Sequence, residues 1–390
     1  MKGLLSATVA SAISGALAFP SPVERRQSAV CSSPVTLSGN PFANRTLAVN
    51  SFYASEVKAA VTKITDSSLA AKAAKVADIG SFFWIDTRDK IKMLDDIIKD
   101  TPCNQIRGLI IYDLPGRDCA AKASNGELAV GEIDIYKSQY IDPIVAIIKK
   151  YSNIAFALII EPDSLPNLVT NINLATCQAS ASGYREGVAY ALKQLNLPNV
   201  NMYIDAGHGG WLGWDANLKP GAQELATVYK NAGSPKAVRG ISTNVAGWNS
   251  LDQVPGEFAN SPDGQYNKAQ NEQKYVALIS PELVAAGMPG QAIVDTGRNG
   301  VTGLRKEWGD WCNVIGAGFG RRPTTDTGSP LIDACVWGKP GGESDGTSDS
   351  SAKRYDSFCG KDDAFKPSPE AGAWNQAYFE ALVKNANPPL

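Results

Sequence analysis

Short apolar runs of strand length alternate with helix-like stretches along most of this 390-residue chain. The runs are Phe82–Ile85, Leu109–Tyr112, Phe156–Ile160, Met202–Ile204, Val238–Ser242, Ala292–Val294 and Leu331–Trp337. The helix-like stretches, with apolar residues three and four positions apart, are Ile91–Ile98, Ile141–Tyr151, Tyr184–Leu195, Ala222–Asn231 and Trp374–Ala386. Continuously apolar strands that alternate with helices indicate a parallel sheet covered on both faces, and a closed α/β barrel fits this pattern best.

Nearly every apolar run is followed, on its C-terminal side, by a charged or amide residue. In chain order these are Asp86, Asp113 with Asp118, Glu161 with Asp163, Asp205, Asn244, Asp295 with Arg298, and Lys339. In an α/β barrel the C-terminal strand ends open onto one face, where active sites are built. Ordinary turn residues explain two or three such placements but not the whole series. The pattern therefore predicts a functional site at that face.

Two segments are too long to be plain connections, Asp113–Asp134 and Gly338–Pro369. Long irregular loops in compact domains are usually functional, and both would rise from the predicted active-site face. We expect them to wall or roof a groove. No linker-like tract separates a second domain, so residues 27–390 are predicted to form one domain.

The N-terminus has the features of a secretory signal. A basic Lys2 precedes an apolar stretch that is too short for a membrane anchor, and small residues surround a cleavage site after residue 18. Arg25 and Arg26 form a dibasic processing site, so residues 19–26 are a predicted propeptide. We expect a secreted, extracellular protein with no membrane partner.

Seven cysteines in a secreted chain indicate disulfides, and the odd number leaves at least one thiol unpaired. Pairs Cys119–Cys177 and Cys312–Cys359 would each tie a long loop to the scaffold, and Cys31 is expected to pair with Cys103. Cys335 lies in an apolar run and is predicted to be a buried free thiol. The sequence Asn44-Arg45-Thr46 is a candidate glycosylation site.

Composition removes several function classes. The net charge of −2 and the lack of a long basic run exclude a nucleic-acid partner held through its phosphates. A single histidine, His208, argues against most metal centres, and the missing Gly-x-Ser-x-Gly turn argues against a histidine-dependent esterase. No metal or cofactor is expected. Eight tryptophans, thirteen tyrosines and many acids suit sugars, which stack on aromatic rings and bond to carboxylates.

Two carboxylates are the candidates for acid/base chemistry. Asp118 and Asp163 follow consecutive strands, so they should lie side by side at the barrel mouth. Glycoside hydrolysis needs a protonated carboxyl that donates to the leaving oxygen, and a neighbouring carboxylate raises the pKa of that group. Asp163 as the acid with Asp118 as its pKa partner fits this need. The structural alternative is that one Asp caps a helix and the other pairs with Arg117.

Aromatic residues on glycine-rich segments are candidate sugar platforms. Trp211 and Trp214 are three positions apart on such a loop, and Trp311 belongs to the similar segment Trp308–Cys312. His208, on the same loop as the first pair, is predicted to donate a hydrogen bond to sugar or loop rather than to act as a base.

Five motifs together resemble glycoside hydrolase family 6, the cellobiohydrolase II type of fungal cellulase. The motifs are Tyr112-Asp-Leu-Pro-x-Arg-Asp-Cys119, Glu161-Pro-Asp-Ser-Leu165, Asp205-Ala-Gly-His208, Trp308-Gly-Asp-Trp-Cys-Asn313 and Lys339-Pro-Gly-Gly-Glu-Ser-Asp345. The likeness runs from about Asn40 to the C-terminus. It implies a distorted barrel of about seven strands with a loop-covered tunnel or cleft, and a monomer that cuts cellulose or cello-oligosaccharides by inversion, releasing cellobiose from non-reducing ends.

The resemblance also implies roles for single residues. Asp163 would be the acid and Asp118 its pKa partner, with Tyr112 beside the distorted sugar. Ser124 and Asp118 would hold the water, and Asp345 or a water chain would be the base. Arg117 and Arg298 would hold the acids in place. The residues that would line sugar subsites are Asp205, His208, Trp211, Trp214, Asn244, Arg298, Trp311, Lys339 and Glu343.

Departures from the family pattern qualify this picture. Ala48 stands where the family has a tryptophan, so one subsite is expected to be weaker or wider, and Ser344 stands where relatives carry Cys. Only a few residues separate the processing site from Asn40, so no cellulose-binding module is expected there, and we expect a preference for soluble or amorphous glucan. The alternatives are an endo-acting cellulase with a wider tunnel and, in a different class, a non-catalytic carbohydrate-binding protein.

Overall fold

The computed structural model describes residues 29–390 of the chain. The predicted signal peptide, residues 1–18, and the predicted propeptide, residues 19–26, lie outside the described residues. Over the described part of the chain, no helix is long and apolar enough to cross a membrane.

A single parallel sheet forms the centre of the molecule. Within residues 29–390 its strands are β1 Thr46–Leu47, β2 Phe83–Ile85, β3 Gln105–Ile111, β4 Ala155–Ile160, β5 Val200–Asp205, β6 Val238–Thr243, β7 Gln291–Asp295 and β8 Ile332–Val336. From β3 to β8 each strand pairs with its successor. β1 pairs with the start of β3 and β2 with its end, so these two share one edge of β3. The predicted barrel of about seven strand positions is confirmed.

The two edges of the sheet approach each other and almost close the barrel. The Phe82 amide donates to the Trp337 carbonyl at 2.9 Å, and Trp84 Nε1 donates to the Gly338 carbonyl at 2.9 Å. These bonds join the segments beside β2 and β8 without strand pairing. The Asn40 side chain crosses the same seam and donates to the Asp333 carbonyl at 2.8 Å.

Helices surround the sheet. In the described residues they are α1 Ser51–Val61, α2 Ser67–Val76, α3 Arg88–Ile91, α4 Leu94–Ile98, α5 Ile133–Ile135, α6 Asp142–Lys150, α7 Leu165–Thr170, α8 Ala175–Gln194, α9 Asp215–Asn231, α10 Glu272–Ala285 and α11 Gln376–Lys384. A π-helical segment, Tyr136–Ile141, joins α5 to α6.

The helix predictions were correct in place but not always in extent. The stretch Ile91–Ile98 is broken into α3 and α4, and Tyr184–Leu195 is only the second half of the longer α8. The sequence analysis missed α1, α2, α7 and α10. Three of these helices have side-chain N-caps that accept hydrogen bonds from backbone amides of the first turn. The capping residues are Asn50 for α1, Asp66 for α2 and Asn271 for α10.

The strands are apolar throughout because both of their faces are buried. Along β3, Ile106 and Ile110 pack inside the barrel, whereas Leu109 and Ile111 pack against the outer helices. Side chains of successive strand residues point to opposite faces, so each strand contributes to both layers. This packing fixes the register of β3 against β4, in which Ile111 lies beside Ile160.

The long loops and their disulfides agree with the sequence analysis. Residues 112–132 contain no regular helix or strand, and residues 337–375 contain only one short 3₁₀ turn, Ser357–Gly360. The three disulfides are Cys31–Cys103, Cys119–Cys177 and Cys312–Cys359. Cys335 is a buried free thiol. All of these cysteine predictions are confirmed.

Candidate active site

The candidate acids lie at the C-terminal ends of β3 and β4, on irregular backbone. Asp118, Glu161 and Asp163 all have positive φ angles, of 57°, 50° and 59°. Non-glycine residues rarely adopt this left-handed conformation, and it costs free energy that the surrounding structure must offset. Such concentrated strain at three acidic residues is typical of a functional site.

Asp118 is buried against Tyr112. The Tyr112 hydroxyl donates to Asp118 Oδ2 at 2.9 Å, and the Tyr112 ring packs edge-on against Trp84 with the ring centres 5.1 Å apart. Burial raises the pKa of Asp118 to about 6, although the Arg117 charge and the Tyr112 hydrogen bond both oppose this rise. Asp118 is therefore ionised at neutral pH and gains protons in mildly acidic solution.

Asp163 is half-buried and held through its backbone. Its amide donates to Asp205 Oδ2 at 3.1 Å, and its carbonyl accepts from the Asn167 side chain at 2.5 Å. Burial raises the pKa of Asp163 well above the ordinary range, and the nearby carboxylates of Asp118 and Asp205 raise it further. The side chain thus keeps its proton where an isolated aspartic acid would lose it.

Asp205 lies beneath Asp163 and is almost fully buried. Its Oδ2 also accepts from the Gly207 amide at 3.2 Å. Burial raises the pKa of Asp205 to about 7 against these two backbone hydrogen bonds. Its carboxylate is thus directed to the backbone of the loops, whereas the sequence analysis placed it along a sugar subsite.

Arg117 organises the loop that carries Asp118. The guanidinium stacks over the Tyr112 ring at 4.2 Å and donates to the carbonyls of Tyr112, Asp86 and Ser124. Its Nη1 lies 3.5 Å from Asp113 Oδ1. The pairing of Arg117 with an acid, the structural alternative of the sequence analysis, thus occurs with Asp113 rather than with Asp118.

Two further carboxyls are buried behind this loop. Glu161 accepts from the Tyr136 hydroxyl at 2.7 Å and from the Asp113 amide at 3.3 Å, and burial raises its pKa to about 7. Burial, together with the carboxyls of Glu161 and Glu127, raises the pKa of Asp113 to about 9 against the opposing charge of Arg117. Asp113 is therefore a neutral acid at physiological pH.

Asp345 is locked in an ion pair with Arg298. Arg298 Nη1 donates to both oxygens, at 2.8 and 2.9 Å, and the Asn313 amide donates to Oδ2 at 2.8 Å. Arg298 is fully buried, stacks on Trp248 at 4.0 Å and also donates to the Ala246 carbonyl. This geometry fits the predicted role of Arg298 as a residue that holds an acid, and not its place among the residues that line sugar subsites.

Lys339 and Glu343 form a second charged group beside Trp84. Lys339 Nζ lies 3.5 Å from Glu343 Oε2 and 5.6 Å from the centre of the Trp84 ring. Glu56 on α1 faces the same pair, and burial together with the Glu343 charge raises the pKa of Glu56 to about 8. The sequence analysis did not identify Trp84 or Glu56 as members of the site, since neither belongs to its motifs.

The tryptophans of the site are partly exposed, as stacking platforms must be. Trp211 and Trp214 both keep their indole N–H groups bonded, to Thr170 Oγ1 at 2.7 Å and to the Gly210 carbonyl at 2.8 Å. Trp308 meets Trp214 edge-on at 5.6 Å. Trp311 is also half-buried and lies 6.0 Å from the Phe358 ring.

Asn244, which the sequence analysis placed along a sugar subsite, has its side chain bonded to backbone groups of the protein. The residue is fully buried, with φ 58°. Its side chain donates to the carbonyls of Asn249 and Asp295 and accepts from the Asn249 amide. Its three side-chain hydrogen bonds thus join the loop after β6 to itself and to the end of β7.

A polar cluster around His208 was not predicted. Asn249 Nδ2 lies 3.1 Å from His208 Nδ1 and donates to Glu272 Oε1 at 2.8 Å. Arg305 Nη2 donates to Asn249 Oδ1 at 2.7 Å and pairs with Glu257 at 2.6 Å. These residues come from three separate loops and one helix, so no local sequence motif unites them.

The two long loops contact each other next to Asp118. The Lys122 amide donates to Asp356 Oδ2 at 3.0 Å, and Arg354 Nε donates to the Ala123 carbonyl at 2.9 Å. The Arg354 charge is close enough to lower the pKa of Asp118. The loops therefore meet beside the acids, as the sequence analysis expected of walls or a roof.

Other features of the described residues lie apart from this site. A recess of about 360 Å³ opens beside β1 and the start of β3, at the N-terminal end of the barrel, and is lined by Asn44, Arg45, Asn104 and Cys335 among others. In residues 29–390 no group of three or more His, Cys, Asp or Glu side chains is arranged to hold a metal ion.

Comparison with known proteins identifies close relatives over nearly the whole chain. The family model of the glycosyl hydrolases family 6 matches residues 42–386. The 1,4-β-D-glucan cellobiohydrolase CEL6C of Podospora anserina is 61% identical to this chain over 397 residues. The alignment covers 100% of both proteins. Exoglucanase 3 of Agaricus bisporus is 52% identical over 356 residues, which cover 90% of this chain and 80% of that protein.

Solved structures agree with the sequence relatives. The cellobiohydrolase Cel6A of Humicola insolens, in complex with glucose and cellotetraose, superposes with a TM-score of 0.86 at 48% identity, covering 90% of this chain and 100% of the other. The catalytic core domain of Cel6A from Chaetomium thermophilum gives a TM-score of 0.86 at 49% identity, with the same coverage.

The buried acid Asp113 makes stability depend on pH. Its pKa is about 9 in the folded protein and about 3.9 when unfolded, so its contribution to stability is complete below pH ~4 and is lost as the pH rises towards 9. Asp113→Asn replaces the protonated form by a neutral side chain of similar shape. We expect a melting temperature several degrees above wild type at pH 8, since each ~1 kcal/mol shifts it by roughly 2–4 °C, and no difference at pH 4.

Asp95→Asn is the matched control for this measurement. Asp95 is exposed, and hydrogen bonds from Lys150 and Tyr151 lower its pKa, so its removal should not stabilise the protein at pH 8. Melting curves of the three proteins at both pH values decide the matter. An Asp113→Asn variant that is no more stable than wild type at pH 8 contradicts the assignment of Asp113 as a buried neutral acid.

Proposed function

Because this chain belongs to glycosyl hydrolase family 6, we propose that it is a cellobiohydrolase that hydrolyses β-1,4-glucan with inversion at the anomeric carbon. The single observation that carries the mechanism is Asp163, an acid whose raised pKa keeps it protonated beside the ionisable Asp118. The relatives named cellobiohydrolase and exoglucanase, and the neighbour solved with glucose and cellotetraose, support a cellulose or cello-oligosaccharide substrate.

Asp163 is proposed as the general acid. A glycosidic oxygen leaves readily only when it receives a proton as the bond breaks, and a carboxyl that is protonated at working pH supplies it. The bond from the Asp163 amide to Asp205 fixes the backbone from which the acid projects. Asp205 therefore acts as a positioning residue in this proposal, rather than as a sugar ligand.

Asp118 is proposed as the partner that sets the pKa of Asp163 and stabilises positive charge at the sugar. A carboxylate near the acid disfavours loss of the acid's proton, because two like charges in a low dielectric repel each other. The hydrogen bond from Tyr112 orients Asp118. Tyr112 would lie beside the distorted sugar ring, with Trp84 supporting its ring edge-on.

Inversion requires a water on the opposite face of the sugar and an acceptor for its proton. Both oxygens of Asp345 already accept from Arg298. We therefore favour a water chain that carries the proton towards Asp345 over direct transfer to it. Ser124, half-buried on the same loop as Asp118, would help to hold the attacking water.

The sugar subsites would be built from the exposed aromatic rings and the charged groups beside them. Trp211, Trp214 and Trp311 offer faces for stacking, while Lys339 and Glu343 offer groups for hydroxyl contacts. His208 would donate a hydrogen bond on the loop that carries the first two rings.

Contact between the two long loops supports action at chain ends. Segments 113–134 and 338–369 are joined by hydrogen bonds beside Asp118, so a chain would be threaded rather than laid into an open cleft. We further propose that the protein is secreted and acts as a monomer outside the cell. Its three disulfides fit an oxidising compartment.

The role of Asp163 is tested with cellohexaose as substrate. We expect Asp163→Asn to lower kcat/KM by about 10²–10⁴-fold, the usual contribution of a general acid. Product anomers followed by NMR should be α-configured for wild type, and Asp95→Asn should behave as wild type. Undiminished activity of Asp163→Asn would overturn the assignment, and an initial β-product would overturn inversion.

The role of Asp118 is tested by the pH dependence of kcat/KM. Its charge raises the pKa of Asp163, so Asp118→Asn should lower that pKa. The protonated fraction of Asp163 then falls at a lower pH, and the alkaline limb of the profile should move towards acid. A profile that keeps its alkaline limb while losing only amplitude would mean that Asp118 does not tune the acid.

The joined loops are tested through the balance of end-on and internal cutting. Arg354→Ala removes the contact to the Ala123 carbonyl, and Glu370→Gln is its control, because it removes only the 3.7 Å ion pair of Arg354 with Glu370. We expect Arg354→Ala alone to give a faster viscosity drop of carboxymethyl cellulose per reducing end released. Equal ratios in all three proteins would contradict a roof formed by these loops.

A further inference from the structure

His208 is the single histidine of the chain. Within the described residues, its ring has one hydrogen-bond partner, Asn249. Nδ1 lies 3.1 Å from Asn249 Nδ2. Nε2 makes no hydrogen bond to another residue in the part of the chain that the structure describes. Which ring nitrogen carries the proton therefore depends on which atom of the Asn249 amide faces Nδ1.

The orientation of the Asn249 amide follows from its other partners. Arg305 Nη2 lies 2.7 Å from one end of the amide, and a guanidinium can only donate, so that end is the oxygen. Arg305 is itself fixed by its buried ion pair with Glu257 at 2.6 Å. The other end, the NH₂ group, lies 2.8 Å from Glu272 Oε1 and faces His208.

An amide NH₂ group can donate two hydrogen bonds and cannot accept one. One hydrogen is directed to Glu272 Oε1, which also accepts from the Gly209 amide at 2.9 Å. The other is directed to His208 Nδ1, which must then present its lone pair. A proton on Glu272 would sit on Oε2 and would leave these bonds unchanged.

We propose that Asn249 is a positioning residue that fixes His208 in the tautomer with its proton on Nε2, and so makes the ring a permanent hydrogen-bond donor to a sugar hydroxyl oxygen. Arg305 and Glu272 act through Asn249 by holding its amide. The sugar as acceptor rests on the proposed function, whereas the tautomer does not.

The electrostatic surroundings of the ring keep this donor constant with pH. Burial, together with the Arg305 charge, lowers the pKa of His208 to about 3. Glu272 is the facing carboxyl, and it is separated from the ring by the Asn249 amide. A folded pKa of about 3 means that the ring is neutral from pH 4 upwards. Across that range the donor is neither lost nor converted to a cation.

The test uses NMR of the full-length protein labelled with ¹⁵N only in histidine. One histidine gives one pair of ring nitrogen signals, and long-range ¹H–¹⁵N correlations show which nitrogen is protonated. Without substrate, we expect a protonated Nε2, an unprotonated Nδ1 and no change between pH 4 and 8. A protonated Nδ1, a mixture of tautomers, or a titration within that range would overturn the proposal.

Asn249→Asp is the informative variant because it places an acceptor against Nδ1. We expect the ring proton to move to Nδ1, so that the two nitrogens exchange their signal types. Glu272→Gln is the control, since it retains an acceptor oxygen for the Asn249 amide and should leave the wild-type pattern. An Asn249→Asp protein that keeps its proton on Nε2 would contradict the role of Asn249.

The wild-type spectrum decides the tautomer even where the Asn249→Asp chain fails to fold. Because this experiment contains no substrate, its outcome is independent of the activity tests on Asp163. Loss of the proposed glucanase activity would leave the tautomer in place, and an inverted tautomer would leave the acid assignment in place.

Discussion

Parallel pairing of β3 and β4 is the constraint on which the rest of the site depends. Their register places Ile111 beside Ile160, so the segments that carry Asp118 and Asp163 leave the sheet side by side. Both strands are buried on both faces. A slip of one residue in the pairing would move the side chains that pack inside the barrel to the helix-facing side, and the helix-facing side chains to the inside. The core therefore fixes the separation of the two acids more firmly than any contact that the acids themselves make.

Burial at these strand ends changes the pKa values of the acids as well as stabilising the fold. The carboxyls of Asp113, Glu161, Asp163 and Asp205 all have raised pKa values because they are removed from water. The Glu161 carboxyl accepts from the Tyr136 hydroxyl and the Asp113 amide, and the Asp205 carboxyl accepts from the amides of Asp163 and Gly207. Ion pairs also occur in the site, between Arg117 and Asp113, Arg298 and Asp345, and Lys339 and Glu343. The region therefore combines ion pairs with acids that hold their protons more tightly than exposed acids do.

The sequence was sufficient for the barrel and for the pair of acids, because both depend on local patterns. Apolar runs of three to seven residues reveal strands, and acids that follow two consecutive runs must meet at one edge of a parallel sheet. β1 was missed because a strand of two residues is too short to show a periodic pattern, and α2 because four of its six apolar residues are alanine. The partners of Asn244 could not be read from its position after β6, since they are backbone groups of Asn249 and Asp295.

The remaining part of the site could not be predicted because it is built from contacts between distant segments. Asn249, Glu272 and Arg305 meet at His208 only after β6, α10 and the loop that follows β7 are in place. Their amide and guanidinium geometry determines the chemical state of the ring, which no spacing in the sequence encodes. The same holds for Asp113, whose neutrality follows from packing around it and not from its neighbours in the chain.

Acids that remain protonated when buried stabilise the folded state in acidic solution and lose that contribution as the pH rises. Removal from water thus has two effects at this end of the barrel: it lets Asp163 keep its proton, and it favours the folded state in acidic solution.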